Sequence, residues 1–289
     1  MSSIVYLNGE YLPRAEAHIS VDDRGFVFGD GVYEVTRALD GALYEADAHL
    51  ERLERGLRGL EMDGRDGIDG AGLLEASERL LRDNDLLQGH ASVYLQVTRG
   101  AAPRTHQFPP ASTRPTVFLS ASRFTPAAEL HERGAAAITH PDVRWARCDL
   151  KTVNLLPNVL AKQHAVAAGA TEAILIRDGV VTEGSHSNVF AVIDGELRTF
   201  PRCNYILAGI TRGIVLSLAA EFGIAASETP IMASELADAE EIFLTGTTTD
   251  VMPIVRVDGL PVAGGQPGAA TRALQEAHAE RLRGVGALR

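Results

Sequence analysis

The chain has 289 residues, 45% of them hydrophobic and 22% charged, enough to bury a core in each of two modest domains. A formal net charge of −11 argues against nucleic acid or an anionic membrane surface as partner, because both need clustered Lys and Arg, and apolar runs such as Gly213 to Ala220 are too short to span a bilayer. Cys148 and Cys203 form neither a disulfide framework nor a Cys-x-x-Cys site, and Met1-Ser2-Ser3-Ile4 opens no signal peptide, so the expected location is cytoplasmic.

In chain order, Ile4 to Leu7 and Glu10 to Leu12 pair across Asn8-Gly9, a hairpin turn signal. Val32 to Leu39 and Ala42 to Glu45 pair across Asp40-Gly41. Asp47 is expected to cap a helix whose apolar stripe is Leu50, Leu53, Leu57 and Leu60. A Gly/Asp-rich loop, Asp63 to Gly72, leads into a helix over Gly72 to Arg82, followed by strands at Ser92 to Thr98 and Thr116 to Ser120. Ser122 to Pro126 is the best linker. Beyond it come a strand at Ala135 to Thr139 and a helix at Asn158 to Ala168. Two hairpins follow, Ala173 to Ile176 with Val180 to Glu183 and Val189 to Ile193 with Glu196 to Phe200, turning at Asp178-Gly179 and Asp194-Gly195. A helix opens at Gly209-Ile210-Thr211 and closes near Gly223. Strands at Glu241 to Thr245 and Ile254 to Val257 precede a last helix, Ala269 to Arg283. Hairpins mixed with scattered helices predict an α+β fold, divided into 1–121, a linker 122–126, and 127–289.

The basic residues are lopsided. Of 27 Lys and Arg, only Lys151 and Lys162 are lysine. Arginine stays protonated, whereas lysine can lose its proton and attack a carbonyl, so a lysine in so arginine-rich a chain is a candidate nucleophile. Two stray surface lysines are the plain alternative. No G-x-G-x-x-G, P-loop, H-E-x-x-H or G-x-S-x-G is present, and the histidines show no zinc-ligand spacing, so no metal is expected. Four local features stand out. Lys151 ends an extended segment, and Glu183 closes a hairpin strand. At Gly209-Ile210-Thr211 a helix begins, where free N–H groups and the helix dipole favour phosphate. Thr245-Gly246-Thr247-Thr248-Thr249 is a hydroxyl-rich turn. Each has a bland counterpart: an exposed lysine, a surface glutamate, a capped helix, a polar loop.

The segments Asp23-Arg24-Gly25-Phe26-Val27-Phe28-Gly29-Asp30-Gly31-Val32-Tyr33-Glu34, Lys151 with Asn154-Leu155-Leu156, Glu183-Gly184-Ser185-His186-Ser187-Asn188-Val189-Phe190, and Gly209-Ile210-Thr211-Arg212 resemble the fold-type IV pyridoxal phosphate (PLP) enzymes over nearly the whole chain. The resemblance implies a smaller N-terminal domain and a larger C-terminal domain with a mixed, barrel-like sheet. It implies that Lys151 forms a Schiff base with PLP and shuttles the substrate proton, and that Glu183 keeps the pyridine nitrogen protonated. Ile210, Thr211, Thr247 and Thr248 would hold the phosphate. Arg52 matches the group's phosphate-binding arginine, although spacing alone does not separate it from Arg55 and Arg58. His186 stands where a small residue is common, close to the cofactor in sequence, and takes no catalytic role.

Within the group, Val97-Thr98-Arg99-Gly100-Ala101-Ala102-Pro103-Arg104-Thr105-His106-Gln107-Phe108-Pro109 resembles the loop with which D-amino acid aminotransferases trap the substrate carboxylate. Read alone, Arg104-Thr105-His106 is an exposed loop. The resemblance implies that Arg104 and His106 reach in from a neighbouring subunit and Tyr33 from the same one, making a homodimer with a shared site. It points to a transaminase moving the amino group of a D-alanine-like amino acid to a 2-oxoglutarate-like acid. Transaminases of L-branched-chain acids or R-amines, and the aminodeoxychorismate lyases, are the nearest alternatives. A non-catalytic α+β binding protein is the alternative from another class.

Overall fold

A computed structural model gives the fold and describes residues 3–64 and 67–286; Arg65 and Asp66 of the expected Asp63 to Gly72 loop lie outside the described residues. The chain forms two units. The first comprises Met1–Thr125, Leu150–Asn154 and Leu282–Arg289, the second Pro126–Asp149 and Leu155–Arg281.

The first unit holds β1 (Ile4–Leu7), β2 (Glu10–Pro13), α1 (Arg24–Phe28), β3 (Gly31–Leu39), β4 (Ala42–Leu43), α2 (Ala46–Gly59), α3 (Gly70–Asp83), β5 (His90–Thr98) and β6 (Thr116–Arg123). Its six-stranded antiparallel sheet runs β2-β1-β6-β5-β3-β4. Alternation decides which side chains enter the core: Ala91, Val93, Leu95 and Val97 are buried on β5 while His90, Ser92, Tyr94 and Gln96 between them are only partly so, as a period of two demands. Leu53 and Leu57 of α2 pack on that face with Leu73, Leu80 and Leu81 of α3, and the partly buried Leu50 and Leu60 flank them. The helix α2 departs from expectation at its start. Glu45, in a left-handed conformation with no side-chain cap, precedes it, and Asp47 sits inside the first turn, where its charge favours the helix dipole instead of capping an N–H. On α3 the cap is Asp69, which accepts from Gly72 N at 3.0 Å.

Lys151 belongs to the first unit, whereas dividing the sequence at 122–126 assigns it to the second. The reason is backbone pairing: Tyr33 N donates to Lys151 O at 2.9 Å and Val153 N to Gly31 O at 3.1 Å. Likewise β6 runs to Arg123, so Ser122 and Arg123 of the expected linker are strand.

The second unit contains α4 (Ala128–Arg133), β7 (Ala135–Pro141), α5 (Leu156–Ala167), β8 (Glu172–Arg177), β9 (Val180–Gly184), β10 (Asn188–Ile193), β11 (Glu196–Thr199), α6 (Ile210–Glu221), β12 (Ala226–Ser227), β13 (Ile231–Met232), β14 (Glu241–Gly246), β15 (Asp250–Val257), β16 (Leu260–Pro261) and α7 (Ala269–Gly286). Its mixed sheet follows β12-β11-β10-β14-β15-β7-β8-β9-β13, with β16 on β15. The strand β10 is buried along its whole length, the mark of a strand covered on both faces. Phe190 and Phe243 face each other across β10 and β14, their rings stacked with centroids 4.9 Å apart. Pro253 lies within β15, which the sequence reading began only at Ile254. Pairing of β15 with β7 starts at Ile254, so on that side the missing amide of Pro253 forfeits no ladder bond.

Five hairpin turns share one chemistry: Asn8, Asp40, Asp178, Asp194 and Asp258 take φ of 49 to 52°, each followed by a glycine at positive φ. Asn and Asp tolerate the left-handed region and glycine needs no tolerance, which is why the first four of these hairpins are legible from dipeptides; the fifth, Asp258-Gly259, leads into the two-residue β16, too short to show a strand pattern.

Candidate active site

In the first unit, the short extended segment beside β3 presents Lys151. Its Nζ lies 4.3 Å from the centroid of the Tyr33 ring, a cation–π distance, and Tyr33 stacks in turn on Tyr94 with centroids 5.7 Å apart. Burial, with Tyr33 adding to it, pushes the Tyr94 hydroxyl up to about 12, so it stays protonated and donates to Gln96 Oε1 at 2.6 Å. No carboxylate pairs with Lys151 among the described residues. An amine facing an aromatic ring is not committed to an ion pair and is available for chemistry.

Burial separates the three arginines of α2 that spacing left equivalent. Arg52 is buried, while Arg55 and Arg58 are exposed. Arg52 grips Glu34 of β3 with both arms of its fork, Nε to Oε1 at 2.7 Å and Nη2 to Oε2 at 2.8 Å. His49 Nδ1 donates to the same Oε2 at 2.8 Å. Burial alone would raise the Glu34 carboxyl, but the Arg52 charge and hydrogen bonds hold it at about 2. Burial lowers His49, against the pull of Glu34, and the Lys151 charge is among the smaller influences acting the same way. Arg104 and His106 lie exposed in the loop between β5 and β6. Phe28 of α1 touches both: the Arg104 guanidinium is 5.2 Å from its ring centroid and the His106 ring 5.6 Å.

In the second unit, Glu183 closes β9 and is 5% exposed. Its Oε2 accepts from Leu207 N at 3.0 Å and Asn188 Nδ2 at 3.1 Å, and its Oε1 accepts from Arg144 Nη1. Burial pushes this carboxyl up to about 7, against the pull of Arg144 and the Leu207 amide. Behind it, Arg144 binds Asp142 through Nε and Nη2, both at 2.9 Å. Asp142, its side chain fully out of water, also takes Arg177 at 3.1 Å and the Thr182 hydroxyl at 2.9 Å. Burial would raise the Asp142 carboxyl, yet Arg144 and Arg177 hold it below the usual carboxylate range. Asp142 and Arg144 escaped the sequence reading because no motif marks them; what they touch lies about 40 residues on.

Asn188 joins Glu183 to the start of α6. A side chain on Gly209 would collide with Asn188 Oδ1 and push aside an amide that Glu183 and the Leu207 carbonyl hold in place. Gly209 has an extended backbone and the helix has no side-chain cap. The amides of Ile210, Thr211 and Arg212 therefore have no intrahelical acceptor, and Thr211 is buried. Arg212 turns away to Glu228 and the Phe200 carbonyl. Asn188 also pairs in register with Thr245, where β14 leads into the turn that carries the half-buried Thr247 and the exposed Thr248. The carboxylate, the open helix start and the hydroxyl turn thus converge on one asparagine.

His186 is exposed, and its Nδ1 donates to Glu172 Oε2 at 2.8 Å. Glu172 also receives Ser187 Oγ at 2.9 Å, Ala173 N at 2.8 Å and the Ser185 hydroxyl. Despite burial these donors hold Glu172 at about 2. His186 is therefore engaged with the carboxylate that closes its own loop.

The family profile of the class IV amino-transferases matches residues 31–257. A D-alanine aminotransferase of Staphylococcus epidermidis is 42% identical over 272 residues, 94% of this chain and 95% of the relative. One from Bacillus licheniformis is 41% identical over 273 residues, with the same coverage of both chains. Among solved structures, a branched-chain aminotransferase of the archaeon Thermoproteus uzoniensis with norvaline superposes with a TM-score of 0.86 at 28% identity, covering 98% of this chain and 96% of that one.

Proposed function

The chain belongs to the class IV aminotransferases, and from that premise we propose that it moves the amino group of a D-amino acid resembling D-alanine to a 2-oxo acid resembling 2-oxoglutarate, in a ping-pong reaction on pyridoxal 5'-phosphate. The residues suit that cofactor. A protonated pyridine nitrogen calls for a carboxylate kept from water, which Glu183 supplies. A phosphate calls for N–H and O–H donors and a cation, which Ile210, Thr211, Thr247, Thr248 and Arg52 supply. An aldehyde calls for a primary amine not neutralised by a carboxylate, which Lys151 supplies. When bound, the cofactor offers an electron sink for the pair released at the substrate Cα.

Lys151 is the catalytic residue in this reading. Its Nζ would take the proton from the substrate Cα and deliver it to the cofactor carbon that bore the aldehyde within the same half-reaction, and would run that transfer in reverse with the 2-oxo acid, a role worth about 10²–10⁴ in rate. Arg144, Asn188 and Leu207 fix the Glu183 carboxylate so that both oxygens are already engaged before any ligand arrives. Arg104 and His106, with Tyr33, bind the α-carboxylate, each charged hydrogen bond contributing about 1.5–3 kcal/mol. A carboxylate trap of this kind disfavours plain amines.

The single observation that carries the reading is Glu183, a buried carboxylate joined through Asn188 to an uncapped helix start. The test is the visible spectrum of the purified protein, followed on adding D-alanine or L-alanine with no acceptor. Loss of the cofactor band with D-alanine alone supports the reading. Loss with L-substrates alone keeps the family and moves the assignment to L-branched-chain acids. A protein that stays colourless after adding pyridoxal phosphate sinks it.

A homodimer with a shared site belongs to the same reading. The first unit exposes Ile19, Val21 and Phe26, and in the second unit α5 exposes Leu156, Val159 and Leu160 along one face, apolar side chains that a partner subunit would cover. A fully active monomer in sedimentation at assay concentration refutes this. No described helix is long and apolar enough to cross a membrane; a cytoplasmic location belongs to the same proposal.

A further inference from the structure

Residues Arg104 to Phe108 have no regular secondary structure and are all exposed, so burial does not set the path of this loop. A buried chain of charges in the first unit does. Arg24, 4% exposed at the start of α1, donates from Nη1 to the Thr105 carbonyl at 2.7 Å. That carbonyl belongs to the residue between Arg104 and His106, so holding it restrains both neighbours. The Nε of Arg24 donates to Asp30 Oδ2 at 2.8 Å, and the same oxygen accepts the Nε of Arg99, also at 2.8 Å. Arg99 is clamped to the Leu60 carbonyl at 2.6 Å and the Glu61 carbonyl at 3.2 Å. Its guanidinium lies 3.7 Å from the centroid of the Phe108 ring, at the far end of the loop. Arg24 also lies 4.7 Å from the Phe28 ring that Arg104 and His106 touch.

Two arginines thus share one carboxylate and hold the loop at both ends. Each hydrogen-bonds a carboxylate and a main-chain carbonyl at once, a task for a planar fork and not for a single ammonium. Asp30 remains ionised because Arg99 and Arg24 outweigh its burial. A loop left free would have to be ordered when substrate binds, and that entropy would be taken from affinity. We infer that Arg24 and Arg99, joined through Asp30, are positioning residues that hold the 104–108 loop in the shape that receives an α-carboxylate. The inference rests on the proposed role of Arg104 and His106.

The test uses three variants of the cofactor-loaded enzyme: Arg24→Met, Phe108→Ala and Arg104→Ala. Phe108 is half-exposed, so its truncation releases the far end of the loop without disturbing the buried charges. Two quantities are read: the KM and kcat for D-alanine, and the rate at which trypsin cuts after Arg104. Arg24→Met and Phe108→Ala each raise KM about tenfold with kcat within threefold, and each speeds the cut in the variant that keeps Arg104. A role in stability alone would lower the melting temperature without this split. If Arg104→Ala raises KM while Arg24→Met or Phe108→Ala leaves it at the parent value, the positioning role is overturned. If Arg104→Ala itself leaves KM unchanged, the carboxylate role of Arg104 fails, and the cutting rate alone then decides whether the tether exists.

Discussion

Removing the Arg144 guanidinium, as in Arg144→Met, tests the electrostatics behind Glu183. The carboxyl stands at about 7 with Arg144 in contact, so near pH 7 about half of it is ionised. Two unit charges about 4 Å apart interact by about 4 kcal/mol at an effective dielectric constant of 20. At about 1.4 kcal/mol per pKa unit that is a ceiling of about three units. Water entering the space left by the side chain reduces it, and a rise of one unit is a conservative expectation. The ionised fraction at pH 7 then falls to about a tenth, and kcat/KM for D-alanine at pH 7 falls at least about fivefold. Raising the assay pH toward 9 restores the carboxylate and recovers much of the loss, whereas Glu183→Gln, which cannot ionise, recovers nothing. Stability drops by about 3–5 kcal/mol because a buried pair loses one partner, although Asp142 keeps Arg177 and Thr182. Arg144→Lys restores a positive charge and part of the activity. A variant with parental kcat/KM at pH 7, or with a loss that is the same at every pH, refutes the reasoning.

Lys151→Ala abolishes the cofactor's visible band and lowers kcat by at least about 10², while the stability, read by denaturant unfolding with no cofactor added, changes by less than about 1 kcal/mol because the amine has no ion-pair partner among the described residues. Gly209→Ala, forced against Asn188 Oδ1, costs about 1–3 kcal/mol of stability and weakens cofactor retention in dialysis. Glu34 shares the control of acid stability with Glu172 and Asp142, the other buried carboxyls held low. The folded value of Glu34, about 2, lies below the ordinary 4.5, so its contribution is fully present above about 4.5 and is lost as pH falls toward 2. Glu183 acts in the opposite sense in a separate window: its folded value is raised, so its contribution declines as pH rises from 4.5 to 7. A melting temperature in Glu34→Gln that falls as steeply below pH 4.5 as in the parent removes Glu34 as a cause.

The hairpins were legible because their turns are local: Asp178-Gly179 and Asp194-Gly195 state the geometry in two residues. The leucines of α2 were legible because a helix repeats. What escaped was short or distant. The five-residue α1 is too brief to show a period, and its cap, Asp23, is fixed by the hydroxyls of Thr98 and Thr116, the latter 93 residues away. Arg52 could not be told from Arg55 and Arg58 by spacing, since only the sheet beneath α2 decides which arginine meets Glu34. Asp47 misled because a good capping residue signals a helix start without saying whether the start falls on it or just before it. For the candidate site, the sequence supplied single residues on named elements; partners such as Arg144, Asn188 and Arg24 came from the fold, because electrostatic neighbours are set by tertiary packing.

The near-absence of lysine has a chemical consequence for a protein whose proposed ligands are carbonyl compounds. Aldehydes and 2-oxo acids condense with primary amines wherever they find them, and arginine offers none. This chain has two side-chain amines, and that of Lys162 is occupied by the Thr171 carbonyl. Surplus pyridoxal phosphate therefore has almost nowhere else on the side chains to land. Its colour, once excess reagent is washed away, becomes a direct count of how many Lys151 residues are loaded.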